Sequence, residues 1–130
     1  YEEGTWTPTP GGTNPSWYQQ VGTYVKIGSL VHCDMWLQAS STTTSTSAIA
    51  LNLPFTSSNA NASRPTSGIA RCYGLRNWGS LGTAYGYVTG NSAILNFRWV
   101  SAGANPGSMS MNLWQDGAEI HMSISYRTDA

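Results

Sequence analysis

Two stretches of this chain, LVHCDMWLQ at Leu30–Gln38 and EIHMSISYR at Glu119–Arg127, alternate apolar and polar side chains residue by residue. Alternation with a period of two sends successive side chains to opposite faces of an extended backbone, so such a chain must bury one face of a sheet. In the first stretch Val31, Cys33, Met35 and Leu37 point one way, while Leu30, His32, Asp34, Trp36 and Gln38 point the other. In the second, Ile120, Met122, Ile124 and Tyr126 alternate with His121, Ser123, Ser125 and Arg127. Helical periodicity is hard to find anywhere. Apolar residues two apart recur instead, in runs closed by Gly, Asn, Pro or Ser.

The pattern predicts a short extended piece over Thr5–Thr9, held to an edge or strand end by two prolines. A hairpin follows, Gly22–Ile27 and Leu30–Gln38, joined through Gly28-Ser29. Further strands are expected at Ala48–Leu53, Ile69–Leu75, Ala84–Val88 and Ala93–Val100, then Met109–Trp114 and Glu119–Arg127 around the turn Asp116-Gly117. Strands this short and this regularly spaced predict an all-β fold, an antiparallel β-sandwich of jelly-roll character, as one domain over residues 1–130.

Charge narrows the partners. Net charge is zero and charged residues are 9% of the chain, against roughly 25% in an average soluble domain. Nucleic acid is not an expected partner, because binding it draws on many Lys and Arg at phosphates. A polybasic membrane contact fails for the same reason, and no apolar run reaches the roughly 20 residues that membrane insertion requires. Six Trp and seven Tyr nonetheless supply enough apolar surface for a core. Cys33 and Cys72 match no metal spacing. One disulfide would fit them, but two buried free thiols are the favoured expectation. No cofactor is expected.

The pieces YEEGTWTPTPGG, YQQVGTYVKIGSLVHCDMWL, IALNLPF and IHMSISYRT occur in that order. Together they resemble a domain found at the C-terminal ends of bacteriophage tail fibres and tailspikes. The family pattern is an acidic-Gly-Thr-Trp-Thr-Pro start, a Gly-x-Tyr-x-Lys-Ile-Gly hairpin, a Leu-Pro-Phe strand end and a last strand carrying a Tyr; the match spans nearly the whole chain. The resemblance implies a β-sandwich homotrimer at the distal end of the virion tail, meeting host-surface glycan such as lipopolysaccharide or capsule. It also implies an upstream shaft or depolymerase, which would explain a chain that opens without a methionine, and no enzyme activity in this part.

Candidate ligand residues follow from what a sugar offers: an apolar C–H face for an aromatic ring, and hydroxyls that need donors and acceptors. Arg76, Asn77 and Trp78 lie between glycine-spaced turns, and Tyr85 and Tyr87 fall on one face of the next strand, so these are the preferred contacts. Trp36, with His32, Asp34 and Gln38, is a second candidate, open to three roles: subunit interface, packing against a second sheet, or glycan platform. Trp114, Gln115 and Asp116 belong first to a hairpin turn, and Trp6, Tyr24, Gly22 and Gly28 to packing and turns. Nothing in the spacing of Asp34, Asp116 and Glu119 suggests a glycosidase pair. No Ser-His-Asp arrangement and no metal cluster is evident.

Overall fold

The computed structural model describes residues 1–12, 14–59, 66–76, 83–100 and 107–129. The strands are β1 (Glu2–Trp6), β2 (Trp17–Ile27), β3 (Leu30–Ala39), β4 (Ala50–Asn52), β5 (Thr66–Tyr73), β6 (Thr83–Val88), β7 (Ile94–Val100), β8 (Gly107–Ser108) and β9 (Glu119–Arg127). All pairings are antiparallel, and the only helical element among the described residues is one 3-10 turn, Met111–Leu113. The all-β, antiparallel expectation therefore holds.

The strands form one hydrogen-bonded path, β1-β2-β3-β9-β5-β6-β7-β4, with β8 beside β7. The last strand sits in the middle of it, between β3 and β5. The path curls until its ends meet. Just past β1, Gly11 donates to the Ala50 carbonyl (3.2 Å), Asn52 donates to the Thr9 carbonyl (3.4 Å), and Pro10 bridges Leu51 of β4. Trp6 Nε1 reinforces the closure by donating to the Asn52 carbonyl at 3.2 Å.

The alternation read from the sequence places the core. Val31, Cys33, Met35 and Leu37 of β3 and Ile120, Met122, Ile124 and Tyr126 of β9 are all buried, as are Leu51, Leu95 and Phe97. Each fully buried Leu, Ile or Phe contributes roughly 1.5–3 kcal/mol. The core is built from side chains of the curled sheet and of the segment 109–114, joined by Ile49, Leu53, Leu75 and Ala118 from the connections.

That segment departs from expectation. Met109–Trp114 is not a strand: Ser110 makes an isolated bridge to Ala48, and the 3-10 turn follows. The turn shifts the side-chain phase by one, so Trp114 is fully buried where a strand would have buried Leu113. Trp114 meets Trp17 edge to face at 5.0 Å. The turn at Asp116-Gly117 is present, with Gly117 at φ +83°, but it joins the end of β3 through Gly117 to Ala39 and Ala39 to Ala118. The first extended piece lies earlier than expected, over Glu2–Trp6. Gly28 makes its turn with φ +57°, whereas Gly22 lies in the middle of β2, facing Trp6.

Both cysteines are free. Cys72 pairs with Ile120 and Cys33 with Ile124, on opposite sides of β9. Four residues of strand separate these rows by about 13 Å, beyond disulfide reach. Burial pushes each thiol up to about 12.

Candidate functional site

Alternation that buries one side of β3, β9, β5 and β6 leaves the other side to water, and the register decides which outward residues meet. On β3 and β9, Trp36 pairs with His121, Asp34 with Ser123 and His32 with Ser125. On β9 and β5, His121 pairs with Arg71 and Glu119 with Tyr73. Beyond β5, Ile69 pairs with Tyr85 and Ser67 with Tyr87, and Tyr85 in turn with Arg98.

Trp36 anchors one end of this face. Its ring stacks on the His121 imidazole, centroids 5.3 Å apart and 20° from parallel. Its Nε1 donates to Glu119 Oε1 at 2.8 Å, and His121 Nε2 lies 3.3 Å from the same oxygen. The indole is thus held by a carboxylate, and Trp36 also borders a shallow depression with Val21, Thr23 and Asp34. Tyr85 and Tyr87 hold the other end, with ring centroids 6.3 Å apart. Arg98 Nε donates to the Tyr87 hydroxyl at 3.2 Å and its guanidinium lies 5.4 Å from that ring centroid. This contact raises the Arg98 pKa further and keeps the guanidinium charged. Three strand spacings separate Trp36 from Tyr85, roughly 14 Å.

Of the sequence candidates, then, Trp36, Tyr85 and Tyr87 share one outward face. Trp36 is half-buried on the side of β3 away from the core. Arg76 lies past the end of β5, half-buried, its backbone N–H donating to the Leu113 carbonyl at 2.8 Å. Asn77 and Trp78 lie outside the described residues. Trp114 is buried in the core and presents nothing to a ligand.

Sequence reasoning passed over the middle of the face. On β5 the large residues Ile69, Arg71 and Tyr73 point outward while small Ala70 and Cys72 point in, and Ile69 and Tyr73 are 77% and 63% exposed. The reversed sizes in GIARCYG were the available signal. His121 and Glu119 join the site only through cross-strand register, which no local pattern encodes.

The face also holds a contact that the sequence reading had not found. His32 Nδ1 lies 2.8 Å from Ser125 Oγ, and its Nε2 lies 3.6 Å from Asp34 Oδ2. Asp34 also accepts a hydrogen bond from Ser123. A Ser-His-Asp set is thus present in composition. Backbone amides of a sheet lie in its plane, bonded to neighbouring strands, so none is aimed at a carbonyl above Ser125 as acyl transfer requires. Asp34 and Glu119 stand four residues apart along adjacent strands, roughly 14 Å between their backbones, and each carboxylate is bonded within the face, Asp34 to Ser123 and Glu119 to Trp36. Among the described residues, no three His, Cys, Asp or Glu side chains gather to hold a metal.

The chain matches no protein-family model, no curated protein and no solved structure.

Proposed function

We propose that this chain is a non-catalytic tip domain of a phage tail fibre or tailspike, which assembles as a homotrimer and binds host-surface carbohydrate, lipopolysaccharide or capsule, at the distal end of the virion tail. The observation that carries the reading is the outward face of β3, β9, β5 and β6. Trp36, Tyr73, Tyr85 and Tyr87 offer ring surface there, among Asp34, Arg71, Glu119, His121 and Ser123. Ring faces interleaved with hydrogen-bonding groups suit saccharides, which are apolar on one side and hydroxylated at the rim. A shallow, wet site of this kind binds weakly alone, and three linked copies raise its avidity by orders of magnitude. The order of motifs from YEEGTWTPTPGG to IHMSISYRT supports the phage assignment. The jelly-roll-like β-sandwich that the sequence predicts belongs to this reading, with the single curled sheet folding back on itself.

One observation favours a second reading, a trimerisation cap with no ligand of its own. Val21, Ile27 and Leu30 on the outward side of the β2–β3 hairpin are 48%, 61% and 48% exposed, an apolar surface suited to sister copies. A glycan array on the intact chain separates the two readings. Carbohydrate binding predicts hits that Tyr85→Ala weakens at least tenfold with an unchanged melting temperature. An array blank at millimolar sugar supports the cap. Both readings predict a solution mass three times the 14.0 kDa of one chain, and a monomer by light scattering removes the trimer from both.

A further inference from the structure

We propose that the saccharide taken by this face is acidic, and that Arg71 holds its negative charge. The inference rests on the carbohydrate reading above and names the chemistry of the ligand. Arg71 stands in mid-face on β5, opposite His121 in the register, with exposed Ile69 and Tyr73 two residues to either side. The carboxylates on neighbouring strands are engaged elsewhere. Glu119 accepts from Trp36 at 2.8 Å and lies 3.3 Å from His121; Asp34 accepts from Ser123 and lies 3.6 Å from His32. Arg98, the other cation toward β7, is tied to Tyr87. Arg71 has no hydrogen-bond or ion-pair partner among the described residues, yet it borders a depression with Asp34, Ile69, His121 and Ser123.

A guanidinium offers a planar fork of N–H donors that matches two oxygens of one anion. Flanked by an exposed aliphatic and an exposed aromatic side chain, each about 7 Å away along the strand, it presents charge and apolar surface within reach of one or two sugar residues. A carboxylate or phosphate on a pyranose takes the fork, the ring C–H face rests on Ile69 or Tyr73, and hydroxyls reach Ser123 and Asp34. Hydroxyls of a neutral sugar accept from the same fork but leave its charge unmatched.

The test is a glycan array on the intact chain with matched neutral, uronate-bearing and phosphate-bearing saccharides, followed by titration of the hits against wild type and Arg71→Gln. Charged members are expected to bind about tenfold more tightly than neutral counterparts, the scale of hydrogen bonds to a charged group, and to lose that margin as NaCl rises. Arg71→Gln abolishes the margin while neutral binding remains. Whether uronates or phosphates lead identifies the source of the charge. Equal binding of charged and neutral members, or a margin that survives Arg71→Gln, overturns the acidic ligand and leaves the carbohydrate reading standing. An array without hits overturns both.

Discussion

At the scale of single residues, the buried polar atoms show where local sequence stops and tertiary structure begins. Tyr126 points inward as its place in the alternation requires, and it is 1% exposed. Its hydroxyl donates to the Phe55 carbonyl at 2.9 Å and accepts from the Phe55 N–H at 3.2 Å. One side-chain oxygen thus satisfies both backbone groups of a residue 71 positions away. Burial raises its pKa, so it stays a donor throughout the ordinary pH range. Tyr126→Phe keeps the ring and strands those two backbone groups, at a cost of about 1–3 kcal/mol. Urea denaturation should show the loss, with hydrogen exchange quickening first at Phe55; an unchanged midpoint would mean that water replaces the hydroxyl freely. The inward direction of Tyr126 was legible in the sequence. Its partner was not, because nothing local to "ISYR" specifies the loop at 53–57.

At the scale of elements, the join of β1 to β2 depends on paired glycine and aromatic residues. Trp6 opposes Gly22 and Gly4 opposes Tyr24 in the register, and each ring lies across the bare backbone of its partner glycine. A Cβ on Gly22 would fall 2.5 Å from a Trp6 ring carbon. Gly22→Ala therefore forces the indole aside and loosens its bond to Asn52, which ties β1 to β4. The expected cost is about 1–3 kcal/mol, typical of overpacking, read as a lower melting temperature. Gly28→Ala, at the hairpin turn, would strain φ instead of packing. Equal melting of Gly22→Ala and wild type would show that Trp6 does not need the cleared surface. The same register logic explains the functional face. The outward direction of Trp36, Tyr85 and Tyr87 follows from alternation along each strand. Their assembly with His121, Glu119 and Arg71 follows only from β9 lying between β3 and β5, a neighbourhood that the chain order hides.

For the whole molecule, the free thiols make a prediction about pH. Burial favours the neutral thiol, so Cys33 and Cys72 titrate in the folded chain at about 12, above their ordinary value of 9.0. Below pH 9 both states hold the protons and the thiols leave stability unchanged. Between 9 and 12 only the unfolded chain releases them, so stability falls as pH rises, by at most about 1.4 kcal/mol per pH unit for each thiol. Urea midpoints at pH 8 and pH 10 should show the fall, and a Cys33→Ala, Cys72→Ala double variant should reduce it to the smaller share that buried Tyr126 contributes near pH 10. The folded chain should also resist thiol reagents until it unfolds. A midpoint that rises with pH would contradict the burial of these groups.

Sequence by itself determined the β class, the positions of most strands and which side of each strand meets water, because these depend on a two-residue period carried by the backbone itself. It also determined the low charge that shapes the choice of partners. Tertiary structure alone decided that the strands form one curled sheet, that Met109–Trp114 turns into the core, and that Trp36, His121, Arg71 and Tyr85 share a face. Strand order and register are set by which distant strands bury their apolar sides together, and that choice is made by the packed molecule as a whole.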